Sequence, residues 1–137
     1  MTDCFLLENP DDGELAAITA LYRAAGWWGD GPDDQGHVAR IVAGSHCFAL
    51  AIDGGAVVGM GRAISDRASD AYVQDIFVRP GHRGRGVATA IVAALARRLE
   101  DDGLGWIGLV AEPGSRGLYQ RLGFEPMPGA AAMLRRS

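Results

Sequence analysis

A chain of 137 residues, 48% hydrophobic and 22% charged, predicts one globular domain spanning residues 1–137 around one core. Acids outnumber bases 17 to 13, a net charge of −4, which argues against nucleic-acid binding over the whole surface. Every base is Arg, and a chain without Lys has no Walker A loop, Schiff-base lysine, pyridoxal-phosphate anchor or lysine general base.

Residues 4–8 are short and apolar and predict a first strand. Asn9, Pro10, Asp11 and Asp12 then carry helix-start chemistry, because an Asp side chain accepts the orphan N–H groups of a first turn. Leu15, Ile18, Leu21 and Ala25 recur at helical spacing as far as Gly26. Residues 27–34 (Trp-Trp-Gly-Asp-Gly-Pro-Asp-Asp) read as a loop, and a second helix is expected over 34–43. The period then changes: residues 46–52 and 56–64 predict two strands joined by Asp53-Gly54-Gly55, and 72–78 a third, stopped at Arg79-Pro80-Gly81. Val87, Ile91, Val92, Leu95 and Leu99 form one stripe of the clearest helix, which Gly103 closes. Residues 106–111 predict a strand, 115–122 a short helix, and Gly123-Phe124 the start of a terminal strand pair reaching about Arg135. This order predicts a mixed α/β fold, a partly parallel sheet with helices on both faces.

Cys4 and Cys47 have no CxxC partner or zinc-spaced His pair, so no metal site is expected; Cys47, in an apolar run, reads as a buried small hydrophobe. No apolar stretch approaches the roughly 20 residues of a membrane span, and the acidic N-terminus is unlike a signal peptide. The expectation is a soluble, cytoplasmic protein with no membrane partner.

The chemistry is concentrated at residues 78–89, Val-Arg-Pro-Gly-His-Arg-Gly-Arg-Gly-Val-Ala-Thr. A strand ends, a glycine-rich turn follows, and a long helix begins inside it. Free N–H groups at a helix N-terminus form an anion site, glycines let a ligand approach them, and Arg79, His82, Arg83 and Arg85 add positive charge. A phosphate or diphosphate is the natural guest. As a dinucleotide fingerprint the match is poor, since Thr89 stands where a third small residue belongs and Asp101 and Asp102 close a helix instead of ending a second strand. A purely structural turn with solvated arginines is the other alternative.

Arg83-x-x-Gly86-x-Ala88 after such a strand resembles the (Q/R)-x-x-G-x-(G/A) signature of the GNAT superfamily of N-acetyltransferases. Leu118-Tyr119-Gln120-Arg121-Leu122-Gly123-Phe124 is similar to the family's LYxxLGF segment, and the element order agrees over essentially the whole chain. The Tyr-Arg-Ala-Ala-Gly-Trp-Trp stretch at 22–28 resembles small bacterial members.

The resemblance implies an acyl-CoA N-acyltransferase fold with acetyl-CoA as cosubstrate and no metal. Backbone groups of Arg83, Gly84, Arg85, Gly86, Val87, Ala88 and Thr89 would cradle the diphosphate. The pantetheine arm would lie along Ile76, Phe77 and Val78, where the strand splays from its neighbour, and N–H of Phe77 or Val78 would stabilise the oxyanion. Tyr119 would protonate the departing thiolate, or else is only a core aromatic whose hydroxyl satisfies a buried acceptor. Many members carry Asn seven residues before this Tyr; here the position is Glu112, so an Asn contact to the cofactor arm is not expected, and Ser115 reads as a helix N-cap. Asp75 is either a base or amine anchor, or a structural acceptor for Arg; Glu112 is a comparable candidate base, and water relays often do this work in the family.

The acceptor side would be the loop carrying Trp27, Trp28 and Asp30, aromatics beside carboxylates that suit a cationic amine, unless one Trp is a core plug. The expected activity is transfer of the acetyl group of acetyl-CoA to a primary amine of a small molecule or peptide, by direct attack in a ternary complex. The alternatives are a module of the same fold that binds acetyl-CoA without turnover, and a purely structural domain. Dimerisation is common in that superfamily, often through terminal strands, and a homodimer is compatible with this chain.

Overall fold

The computed structural model describes residues 2–136. In chain order the elements are β1 (Thr2–Leu6), α1 (Asp12–Ala24), α2 (Gln35–Gly44), β2 (Cys47–Asp53), β3 (Ala56–Ser65), β4 (Asp70–Val78), a 3-10 turn (Pro80–His82), α3 (Val87–Asp101), β5 (Trp106–Leu109) and α4 (Arg116–Arg121). Local chemistry explains most boundaries. Asp11 starts α1 through a capping box: its carboxylate accepts from Glu14 N–H at 2.7 Å, and Glu14 Oε1 accepts from Asp11 N–H at 3.0 Å. Asp34 starts α2 by accepting from His37 N–H at 3.0 Å.

The sheet runs β1-β2-β3-β4-β5, antiparallel throughout except for the parallel β4–β5 pair. Alternation along β2 sends Cys47, Ala49 and Ala51 to one face and Phe48 and Leu50 to the other. The first face receives the Ile91, Leu95 and Leu99 stripe of α3; the second packs on Ile18 and Leu21 of α1 and Val38 of α2. Small residues line the α3 side, and a Cβ at Gly61 would fall 2.7 Å from Ile91 Cγ2, so α3 seats closely because nothing protrudes there. Each fully buried Leu or Ile of this core is worth about 1.5–3 kcal/mol.

A bulge in β4 prepares the site. The β3–β4 register passes from Met60↔Phe77 to Arg62↔Gln74, so Asp75 and Ile76 together oppose Gly61, and Asp75 has φ +60°. On its other edge β4 pairs with β5 only from Asp70 to Val73. From Gln74 onward that edge has no strand partner among the described residues, which leaves an opening between the end of β4 and the chain after β5.

The expected terminal strand pair is absent among the described residues: after α4 the chain runs irregularly to residue 136. Pro126 and Pro128 lack the N–H that a ladder needs, and a turn in which Ala130 N–H donates to the Met127 carbonyl at 3.2 Å bends the segment. The strand expected over 106–111 likewise ends at Leu109. Ser115 does hold the N-cap position of α4, yet its hydroxyl donates to the Glu112 carbonyl at 2.6 Å and caps nothing. Among the described residues no helix is long and apolar enough to cross a membrane.

Candidate active site

The turn between β4 and α3 has the form of an anion cradle. Gly84 and Gly86 lie at φ +76° and +79°, a conformation costly for residues with a Cβ, and Gly86 opens α3. No side chain caps α3 and no acid lies in its first turn, so the N–H groups of Val87, Ala88 and Thr89 face outward without an intrahelical acceptor. They border a cavity of about 210 Å³ whose wall includes Arg83, Gly84, Gly86, Leu118 and Arg121. Arg83 is anchored as it lines this cavity: its Nε donates to the Val78 carbonyl at 2.9 Å and its guanidinium lies 5.6 Å from the Phe77 ring centroid. His82 fixes the turn to the β2–β3 hairpin through Asp53, with Nε2 3.1 Å from the carboxylate.

Arg121 carries no signal of its own in the sequence. It occupies a variable place in the Leu118–Phe124 segment, and only the docking of α4 brings it to this cavity. Helix α4 separates two spaces, since Leu118 and Arg121 face the anion cavity while Tyr119 faces a cleft of about 530 Å³ at the opening beside β4.

That cleft gathers Trp27, Asp75, Ile76, Glu112 and Tyr119, residues from four separate stretches of the chain. Tyr119 is 8% exposed and braced edge-on by Phe124 at 5.9 Å, and its hydroxyl makes no hydrogen bond to a described residue. Burial, and after it the Glu112 carboxylate, push the phenol pKa above its ordinary value. Asp75 is engaged: its Oδ2 accepts from the Tyr22 hydroxyl and from Arg62 Nε, both at 2.7 Å. Glu112 makes no ion pair among the described residues.

The two tryptophans separate. Trp27 borders the cleft, while Trp28 stacks on Tyr22 at 4.3 Å with 4° between the planes and packs against the α1–α2 core, outside the cleft lining. Asp30 is exposed and also outside the lining. The neighbouring loop acids serve structure: Asp33 pairs with Arg23 at 2.7 Å and Asp34 caps α2. Arg23 also donates to the Gly29 and Gly31 carbonyls at 3.0 and 2.6 Å, tying the loop that presents Trp27.

The sequence profile of the acetyltransferase (GNAT) family matches residues 15–124, from α1 to Phe124, and so takes in both the cradle and Tyr119. The chain belongs to the GNAT family. A chloroplastic GCN5-related N-acetyltransferase of Arabidopsis thaliana is 40% identical over 72 residues, 53% of this chain and 28% of that protein. The chain thus spans less than a third of the length of the first curated relatives it matches. Among solved structures, a GNAT-family acetyltransferase of Streptococcus pneumoniae aligns over 100% of this chain and 98% of its own, with TM-score 0.78 and 25% identity. An aminoglycoside acetyltransferase captured with a CoA-linked bisubstrate analogue shares the fold at TM-score 0.76 and 23% identity, over 100% of this chain and 99% of its own. In this chain the mixed sheet carries helices on both faces, with the opening beside β4 at the same end of the sheet as the glycine-rich turn.

Proposed function

We propose that this chain is an N-acetyltransferase that moves the acetyl group of acetyl-CoA to a primary amine by direct attack within a ternary complex. The observation that carries the proposal is the position of Tyr119: a buried phenol at the cleft whose hydroxyl makes no hydrogen bond to a described residue, on the short helix that also walls the anion cavity. The residues fit the cosubstrate. An uncapped α3 with αL glycines, no first-turn acid, and Arg83 and Arg121 nearby suit a diphosphate. The unpaired edge of Ile76, Phe77 and Val78 suits an amide-bearing arm that hydrogen-bonds like a strand. When bound, acetyl-CoA supplies the thioester whose acetyl group the amine accepts.

The chain's own groups then have separate tasks. Arg83, clamped to Val78 and Phe77, holds the turn in register with the end of β4, so anion cradle and acyl end keep a fixed separation. Arg79 N–H donates to the Val58 carbonyl of β3 at 2.8 Å, so by alternation Val78 N–H faces the open edge, where it would steady negative charge on the acyl oxygen. Glu112 draws a cationic amine to the cleft and accepts, through solvent, the proton the amine must lose before it attacks. Tyr119, with its pKa raised, keeps its proton at neutral pH and gives it to the leaving sulfur. Asp75, held by Arg62 and Tyr22, keeps the bulge in shape.

Calorimetric titration with acetyl-CoA, and with acetyl-pantetheine as a ligand lacking the diphosphate, tests the donor half without any assumption about the acceptor. Micromolar binding that requires the diphosphate supports the proposal, and no binding overturns it. Binding without turnover over a broad amine set would mark a sensing module instead.

A further inference from the structure

The charges and walls of the cleft narrow the acceptor. Two carboxylates border it, and among the described residues no Arg or His does. Asp75 is ion-paired with Arg62 and hydrogen-bonded by the Tyr22 hydroxyl, which leaves Glu112 as the charge without an ion pair among the described lining residues. An acceptor bearing its own carboxylate or phosphate would meet the like charge of Glu112 with no cation in the lining to offset it. A polycation would find one partner and leave its other charges against apolar walls.

Those walls are aromatic and aliphatic. Trp27 is 46% exposed, yet its ring is fixed from behind by Phe77, edge-on at 6.1 Å and 67°, and by Tyr22 at 6.1 Å and 58°. Tyr72, Ile76 and Val110 add apolar surface. At the outer lip Met133 and Leu134 are 93% and 78% exposed, side chains that gain when an apolar guest covers them. A rigid aromatic face, flexible apolar groups and one carboxylate suit a monocation with a flat apolar tail.

We infer that the acceptor is an arylalkylamine-like monocation: a primary amine, directed to Glu112, on a short chain from an aromatic ring that lies against Trp27. This rests on the acetyltransferase reading above and specifies its second substrate. Anionic amines and polycations are disfavoured by the same lining.

The test is an acceptor panel at saturating acetyl-CoA, with acetylated product followed by mass spectrometry: 2-phenylethylamine and tryptamine against phenylalanine, spermidine, kanamycin and glucosamine 6-phosphate. The expected kcat/KM for 2-phenylethylamine exceeds that for spermidine by about 10-fold, and that for phenylalanine, the same ring with a carboxylate, by about 100-fold. Trp27→Ala brings the 2-phenylethylamine to spermidine ratio to within about threefold, the loss expected of one aromatic contact. A preference for spermidine, kanamycin or an anionic amine overturns the inference and leaves the acetyltransferase reading standing. If no panel member turns over, binding of 2-phenylethylamine to the CoA-loaded protein is measured by ligand-observed NMR. Absence of binding there, with acetyl-CoA binding intact in the calorimeter, overturns the inference alone; loss of acetyl-CoA binding itself overturns the reading beneath it.

Discussion

The Tyr22 hydroxyl donates to Asp75 Oδ2 at 2.7 Å and ties α1 to the bulge of β4 across 53 residues of sequence. Arg62 Nε reaches the same oxygen at 2.7 Å, and its guanidinium continues 3.4 Å to the Ser45 hydroxyl at the end of α2. One carboxylate thus joins both helices of one layer to the strand that forms the opening. It does so at a backbone conformation, φ +60°, that an Asp holds only when its surroundings demand it.

Tyr22→Phe removes one hydrogen bond to a charged acceptor and is expected to cost about 1.5–3 kcal/mol. Arg62→Met leaves a partly buried carboxylate without its cation and is expected to cost about 3 kcal/mol. Urea unfolding should show both as lower midpoints with unchanged slopes. Asp75→Asn should lower stability yet keep the pH dependence of kcat, because the Asp75 carboxylate serves as the ion-pair partner of Arg62 at the bulge. A changed pH profile would return Asp75 to the role of base.

Tyr119→Phe keeps the ring against Phe124 and deletes only the proton donor. Turnover with an active amine should fall by about 100-fold, the lower end of general-acid contributions, while acetyl-CoA affinity moves by less than about twofold. Steady-state kinetics beside calorimetry separates the two. An unchanged kcat removes Tyr119 from the chemistry.

At Gly86 a Cβ meets nothing within 4 Å, so the effects of substitution come from the backbone and from charge. Gly86→Ala is strained at φ +79° by about 1–2 kcal/mol. Gly86→Glu adds a carboxylate at the mouth of the anion cavity and should weaken acetyl-CoA binding by more than about 10-fold, well beyond the alanine variant. Equal affinities in titrations of both variants would move the diphosphate site elsewhere.

Burial pushes the Cys47 thiol up to about 11 from an ordinary value near 9. Below pH 9 the thiol is neutral in folded and unfolded chains alike, and its contribution is fully present. Between pH 9 and 11 the unfolded chain ionises while the folded one resists, so stability falls as pH rises. Chemical denaturation at pH 8, 9.5 and 10.5 should show a smaller alkaline loss for Cys47→Ala than for the parent chain. Tyr22, also raised by burial and by Asp75, accounts for further loss at higher pH in both proteins.

Much of this molecule is written locally. The α3 stripe, the Asp11 and Asp34 caps, the hairpin at Gly54-Gly55 and the glycine-arginine turn depend on residues within a few positions of one another, so periodicity and turn chemistry determine them from the sequence alone. The cradle and Tyr119 are likewise readable, because each sits in a short contiguous pattern. Only the tertiary structure decided which tryptophan faces the cleft, since Trp27 and Trp28 are adjacent and their roles follow from where Tyr22 and Phe77 lie. It alone engaged Asp75 with Arg62 and Tyr22, and brought Arg121 to the anion cavity. It also left the described C-terminal residues without strand pairing, where sequence order had suggested strands but two prolines lack ladder donors. The division has one physical cause: backbone conformation answers to neighbours in sequence, whereas the charge and exposure of a side chain answer to whatever packing brings beside it.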